Sequence, residues 1–351
     1  MKTIGMDIGT TTVCAVLTDA ETGELLDAKT LTNDAHLKSE RSWERIQNPT
    51  RILELCRQLL ADYLDCYEDV ESIGVTGAMH GILYTDKEGK AVSPLYTWQD
   101  QRGDQVNPES GMSYAKELSE ITGYAMATGF GLTTHYYNTK HGLIPEEAVS
   151  FCTIPDYVAF SIAREKAPLL HQSMAASLGV YDIQKGCFDT EAIERAGMDI
   201  RMLPQVTKEN ALCGKTAEGI PVAVSLGDNQ ASFLGSVNEE CKVLLNVGTG
   251  AQLSAYSEKI AEGENLECRP YVGDSWLLAG SALCGGYAYS LMKRFFEETL
   301  ELAEAEAKRP AYEILNQAAA AAYEEEKQLT VDTRFNGTRQ NPSITGDRKS
   351  T

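Results

Sequence analysis

The chain has 351 residues, 51 of them acidic and 31 basic, for a formal net charge of −20. That length suggests roughly two domains with a core each, and the charge argues against a duplex nucleic acid or an anionic membrane as partner. No run approaches the ~18 apolar residues of a membrane span, and Asp7 interrupts the first apolar run, so neither a span nor a signal peptide is expected. The nine cysteines are scattered with no C-x-x-C spacing, which fits reduced thiols and a cytoplasmic location.

In chain order, Thr3 to Asp7, Thr12 to Thr18 and Leu25 to Thr30 read as a meander of strands. Asn48-Pro49 announces a helix, with Asn as N-cap and Pro in the first helical position. Ile52, Leu53, Cys56, Leu59, Leu60, Tyr63 and Leu64 continue it at helical spacing to about Tyr67. Glu71 to Thr76 is a further strand, ending in Gly77-Ala78-Met79-His80-Gly81. Ile82 to Tyr96, with the turn Asp86-Lys87-Glu88-Gly89, reads as a hairpin, and a polar cluster comes next at Trp98-Gln99-Asp100-Gln101-Arg102. From Tyr114 to about Gly179 the pattern is mostly helical, and Cys187 to Pro204 is a helix-turn region. Pro221 to Leu226 is a buried strand that Gly227-Asp228-Asn229-Gln230 turns into a helix, Ala231 to Gly235. After a strand at Leu277 to Gly280, Gly285-Gly286 opens a helix through about Lys308, and Pro310 starts another to about Leu329.

Two stretches share one grammar of strand, turn, strand: Gly5-Met6-Asp7-Ile8-Gly9-Thr10-Thr11-Thr12 and Leu244-Leu245-Asn246-Val247-Gly248-Thr249-Gly250-Ala251. Laid over each other, Asp7 falls on Asn246, Gly9 on Gly248 and Thr10 on Thr249. Glycine lets a turn backbone come close to a ligand, successive N–H groups form an anion-binding nest, and Thr hydroxyls add donors. Two such hairpins suit a polyphosphate; either alone reads equally as an ordinary hairpin with a Gly turn. Asp228, where a strand gives way to a helix, is a candidate general base and equally a helix N-cap.

These two hairpins, with Gly77-Ala78-Met79-His80-Gly81, Trp98-Gln99-Asp100-Gln101-Arg102, Gly227-Asp228-Asn229-Gln230-Ala231 and the later Phe335 to Pro342, resemble in order and spacing the FGGY family of carbohydrate kinases. Met79-His80 stands where glycerol kinases show Arg-Glu, which points to the sedoheptulokinase-like and xylulokinase-like branches. The resemblance implies a two-domain α/β fold of the actin-like (ribonuclease H-like) ATPase class. Residues 1–232 would form the N-terminal domain, with the sugar site and first phosphate hairpin. Residues 233–351 would form the C-terminal domain with the second hairpin. Family members continue beyond the Gly337-Thr338-Arg339 motif into a Gly-rich adenosine segment, so the second domain is expected to be incomplete and ATP to be held weakly.

The implied reaction is ATP- and Mg²⁺-dependent phosphorylation of a ketose hydroxyl, sedoheptulose first, then xylulose or ribulose. A non-catalytic sugar- or nucleotide-binding relative is the alternative of a different class. The resemblance gives Asp228 as catalytic base, and Asp7, with Asp228 through water, as Mg²⁺ ligands. Gly9, Thr10, Thr11, Thr12, Gly248, Thr249 and Gly250 would hold nucleotide phosphates. Met79, His80, Trp98, Asp100, Arg102 and Asn229 would meet the sugar. Blander roles stay open: Asp100 and Arg102 as an ion pair ordering the loop, Trp98 as a core anchor, Asp7 satisfying its own turn. Sugar and ATP are the expected partners, with no nucleic acid or membrane, and a homodimer is left open.

Overall fold

The computed structural model describes all residues except 239, 249, 264–265, 283, 323–329, 332–334, 336–347 and 350–351. The chain folds as two units, Met1–Gly235 with Arg269–Ser275, and Ser236–Cys268 with Trp276–Thr351.

The first unit opens with the expected meander: β1 (Lys2–Ile8), β2 (Thr12–Asp19) and β3 (Leu25–Thr32), paired antiparallel. A short β4 (Ile46–Gln47) precedes α1 (Pro49–Leu64), whose N-cap is Asn48: its side-chain oxygen accepts from the N–H groups of Thr50 and Arg51. These bonds satisfy donors that a helix start leaves orphaned. β5 (Val70–Gly77) then lies parallel to β1, with Asp7 beside Thr76 and Ile8 beside Gly77. Alternate residues Ile4, Met6, Ile8, Val13, Ala15, Leu17, Ile73 and Val75 are buried, as the two-residue period of a strand dictates. The α1 stripe packs on this face, where the Tyr63 hydroxyl donates to the Ala15 carbonyl at 2.9 Å. Each large side chain so buried contributes about 1.5–3 kcal/mol.

The hairpin expected from Ile82 to Tyr96 is present only as isolated bridges, Ile82 to Tyr96 and Thr85 to Ala91. The strands proper find other partners: β6 (Leu83–Thr85) pairs with β8 (Ser150–Cys152), and β7 (Leu95–Tyr96) pairs with β4. The helical stretch holds α2 (Tyr114–Thr122), α3 (Gly131–Lys140), α4 (Ile154–Ile162) and α5 (Gln172–Ser177), with a three-residue β9 (Leu169–His171) before α5. β10 (Tyr181–Asp182), β11 (Cys187–Phe188), α6 (Thr190–Arg195) and β12 (Gln205–Thr207) come next.

The strand expected at Pro221 to Leu226 is split in two. β13 (Leu212–Lys215) pairs with β14 (Pro221–Ala223), and β15 (Leu226–Gly227) is separate; β14 and β15 each run parallel to β5. Between them the Val224 N–H turns to the Ala211 carbonyl, and the Ser225 hydroxyl donates to the buried Asp156 carboxylate. The finished sheet runs β13-β14-β5-β1-β2-β3, with β15 on β5. α7 (Asp228–Ser236) starts directly from β15, three residues earlier than the sequence pattern predicts, because Asp228 already occupies its first turn.

β16 (Val243–Val247), β17 (Ala251–Ser257), β18 (Glu267–Pro270) and β19 (Trp276–Ala282) form a second sheet of order β16-β17-β19-β18. α8 (Gly286–Leu302) and α9 (Ala311–Ala321) complete the second unit, with Gly285 as N-cap of α8. Among the described residues no helix is long and apolar enough to cross a membrane.

Candidate active site

Three neighbouring strands, β1, β5 and β15, are parallel and end level with one another: Ile8 lies beside Gly77, and Gly77 beside Gly227. The residues after each strand must therefore emerge at one edge of the sheet, where open α/β sheets bind ligands. Those residues are Gly9-Thr10-Thr11-Thr12, Ala78-Met79-His80-Gly81 and Asp228-Asn229-Gln230. The junctions are tight. Ala78 donates its N–H to the Ile8 carbonyl at 2.9 Å, and the Thr76 hydroxyl donates to the Leu226 carbonyl at 2.7 Å. A Cβ on Gly227 would lie 2.7 Å from Met79 Cε, so the side chain of Met79 occupies the space that this glycine leaves.

In the first turn every carbonyl is held from within the protein. Gly9 O accepts from Asn33 Nδ2 at 2.9 Å, Thr10 O from Gln47 Nε2 at 2.9 Å, Thr11 O from the Asn33 N–H at 2.9 Å, and Thr12 O from the Gly9 N–H at 2.9 Å. Thr10 Oγ1 receives the indole N–H of Trp98 at 3.2 Å. Trp98 is 43 % exposed, which corrects the core-anchor reading: its ring borders a narrow cleft with Thr10, Gln47, Met79, Gly81 and Thr97. Asp7, one residue short of the strand end, has an exposed tip, yet the surrounding protein displaces enough water to push its carboxyl above the ordinary range.

His80 takes a left-handed backbone (φ 71°), uncommon for a side chain with a Cβ. Its N–H donates to Ser177 Oγ at 3.2 Å, and its ring stacks parallel on Phe130 with centroids 4.8 Å apart. Nδ1 lies 2.7 Å from the Ser177 carbonyl. A carbonyl only accepts, so Nδ1 carries the proton, and in the neutral ring Nε2 is the acceptor.

Asp228 holds one carboxylate oxygen on the Asn229 N–H at 2.6 Å. Asn229 Oδ1 accepts from Arg269 Nη1 at 3.1 Å, which fixes the amide with Nδ2 as its donor end. Arg269 comes from the returning segment Arg269–Ser275. Gln172 Nε2 secures that segment at the Tyr271 and Gly273 carbonyls (2.9 and 2.7 Å), and Gln230 Nε2 secures it at the Pro270 carbonyl (3.0 Å). Ser173 Oγ accepts from the Gly227 N–H at 3.2 Å. Sequence reasoning missed Asn33, Gln47, Ser173 and Arg269, since single polar residues outside the motifs leave no pattern.

Asp100 and Arg102 are not at this edge as open side chains. They are 0 % and 1 % exposed and paired with each other, Arg102 Nε to Asp100 Oδ1 at 2.6 Å and Nη2 to Oδ2 at 3.2 Å. The Arg45 N–H also donates to Asp100, Arg102 Nη1 donates to Asn138 Oδ1 at 2.6 Å, and the guanidinium lies over the Tyr96 ring. Burial opposes the Arg102 charge, but the Asp100 carboxylate outweighs it and holds the guanidinium above its ordinary value. Of the two sequence readings, the ordering ion pair is the one with contacts behind it; direct sugar contact is not.

In the second unit the Gly248 N–H donates to the Gly250 carbonyl at 2.9 Å, closing the other turn, and the Gly286 N–H donates to the Gly248 carbonyl at 2.7 Å. The start of α8 thus packs on that turn. Thr249 lies outside the described residues, as does 336–342 of the late motif.

Residues 2–235 match the family described as "FGGY family of carbohydrate kinases, N-terminal domain". The chain belongs to the FGGY family of carbohydrate kinases. It is 30 % identical to the sedoheptulokinase of Mus musculus over 72 % of its own length and 58 % of that protein's, and 30 % identical to that of Homo sapiens over 72 % and 59 %. The chain therefore spans less than two thirds of these relatives. Among solved structures, xylulose kinase from Rhodospirillum rubrum superposes with a TM-score of 0.82 at 18 % identity, covering 100 % of this chain and 73 % of that one. Gluconate kinase from Lactobacillus acidophilus superposes at 0.79, with 18 % identity over 100 % and 72 %. These FGGY structures share the actin-like ATPase fold expected from the motifs.

Proposed function

We propose that this FGGY chain serves ATP-dependent phosphorylation of a ketose hydroxyl, with sedoheptulose as the first candidate and xylulose next. The observation that carries the reading is the common edge of β1, β5 and β15, which gathers a glycine-threonine turn, a histidine and an aspartate at one place. The relatives called sedoheptulokinase favour the longer ketose, and Met79-His80 in place of Arg-Glu favours a ketose over glycerol.

In this reading Asp228 takes the proton of the attacking hydroxyl, and the Asn229 N–H on one oxygen sets the plane of its carboxylate. Asn229 Nδ2 donates to one sugar oxygen while His80 Nε2 accepts from a hydroxyl, so the site reads both senses of hydrogen bond. The half-exposed Trp98 offers an apolar face to sugar C–H groups. Thr10, Thr11 and Thr12 of the first turn meet the phosphates.

Mg²⁺ suits a donor set of one or two carboxylates, because it commonly takes these with phosphate oxygens and water. Asp7, desolvated enough to favour a neighbouring cation, would hold it, with Asp228 through water. Bound there, the ion would neutralise charge on the transferred phosphoryl group. A panel of ketoses and polyols with ATP, read by ADP release, tests the proposal. Sugar-dependent release with sedoheptulose supports it. Release with no sugar of the panel, alongside measurable sugar binding, favours a non-catalytic relative.

A further inference from the structure

We infer that Asn33 and Gln47 are positioning residues that set the first hairpin turn for polyphosphate; the inference rests on reading that turn as the phosphate grip. In a trans peptide the C=O and N–H point in opposite directions. Asn33 Nδ2 draws the Gly9 carbonyl inward at 2.9 Å, which turns the Thr10 N–H outward. Gln47 Nε2 draws the Thr10 carbonyl inward at 2.9 Å, which turns the Thr11 N–H outward. Neither of these N–H groups donates to another described residue. Two successive outward N–H groups make a concave donor pair suited to an anion.

Both amides are themselves fixed. Asn33 and Gln47 are each 2 % exposed. Asn33 Oδ1 accepts from the Ala35 N–H at 3.2 Å, and its own N–H reaches the Thr11 carbonyl. Gln47 lies in β4, paired with Leu95 of β7, three residues before Trp98. The turn thus needs no reorganisation to present its donors, and a flexible Gly-Thr-Thr sequence gains one conformation from two buried side chains. The ligand class is a di- or triphosphate, because the two donors are a peptide apart and Thr hydroxyls continue the row.

Calorimetric titration of the 351-residue chain with inorganic tripolyphosphate and Mg²⁺, and separately with sedoheptulose, tests this. Gln47→Met keeps the volume and removes the donor; Asn33→Asp keeps the acceptor end and replaces the donor by an oxygen facing the Gly9 carbonyl. Each variant is expected to bind tripolyphosphate about tenfold more weakly with sedoheptulose affinity close to wild type; the thermal midpoint stays near wild type in Gln47→Met and falls in Asn33→Asp, which buries a carboxyl against a carbonyl. Thr10→Ala serves as the control for the turn itself. If Thr10→Ala weakens tripolyphosphate while Gln47→Met and Asn33→Asp bind it like wild type, the positioning role is overturned. If both ligands weaken together as the midpoint falls, the two amides are merely structural and the inference fails. If Thr10→Ala and both amide variants all leave tripolyphosphate binding unchanged, the phosphate reading of the turn falls and takes the inference with it.

Discussion

Removing the Arg102 guanidinium tests whether the Asp100–Arg102 pair orders the loop behind Trp98 or meets the sugar. In Arg102→Met the Asp100 carboxylate stays buried and loses two charge-assisted bonds, at 2.6 and 3.2 Å, while Asn138 Oδ1 loses its donor at 2.6 Å. Breaking one half of a buried ion pair costs about 3–5 kcal/mol. The Arg45 and Arg102 backbone N–H groups still donate to Asp100, which places the expected loss near the lower end, about 3 kcal/mol. Urea unfolding of the first unit, followed by Trp43 fluorescence, reads it, since that ring lies 5.9 Å from the guanidinium. Adding Asp100→Asn removes the stranded charge, so the double variant should recover at least about half of the loss. A loss under about 1 kcal/mol, or a double variant no more stable than the single, refutes the ordering role. So does a fall in sugar affinity with unfolding unchanged.

Asp228→Asn should lower turnover by about 10² to 10⁴ with sugar binding kept; near-normal turnover on the preferred sugar would remove Asp228 as base. His80→Ala should weaken sugar titrations and leave ATP titrations within a few-fold, and Thr10→Ala should do the reverse, each by about 1–3 kcal/mol; a His80 variant altered only towards ATP would redraw the site. Burial raises the Asp156 carboxyl to about 6, against hydrogen bonds from Ser225 and Thr153 that lower it. Unfolded, it titrates near 4. Between these values the folded chain holds a proton that the unfolded chain has released, so stability falls as pH rises from about 4 to 6 and is level above. A rise of that size corresponds to about 3 kcal/mol at most. Asp156→Asn, compared with wild type by thermal melts from pH 4 to 7.5, should gain relative stability over that window, and a constant difference would contradict the raised carboxyl.

Local patterns in the sequence carried the opening strands and α1 because each is decided by near neighbours: a two-residue alternation, a helical stripe, an Asn-Pro cap. Partner choice is not local. Ile82 to Tyr96 has the alternation and turn residues of a hairpin, yet β6 pairs with Ser150–Cys152 and β7 with Ile46–Gln47. Alternation says that a segment can be a strand, and tertiary packing then selects its neighbour. The three-residue strands Ser150–Cys152 and Leu169–His171 are too short to show any period, so their region reads as mostly helical. The break between β14 and β15 likewise depends on Asp156, some seventy residues away, drawing in the Ser225 hydroxyl.

The site shows the same division between what a motif states and what the fold adds. Glycine-threonine turns, Met79-His80 and Asp228-Asn229 are contiguous, so spacing reveals them, but contiguity does not give a side chain its direction. Trp98 illustrates this: an indole among polar residues suggests an anchor, and only its bond to Thr10 and its 43 % exposure place it at the cleft. Asp100 and Arg102 err in the opposite sense, polar residues in a polar run that turn out wholly buried. The groups that orient the motifs are lone residues: Asn33 and Gln47 behind the turn, Ser177 and Phe130 behind His80, Arg269 behind Asn229. Each acts through one or two bonds or a ring face, and no sequence period can mark such isolated contacts. A variant survey confined to the motifs would therefore report which groups meet ligand and miss those that hold them in place; substitutions at the five supporting positions supply that half.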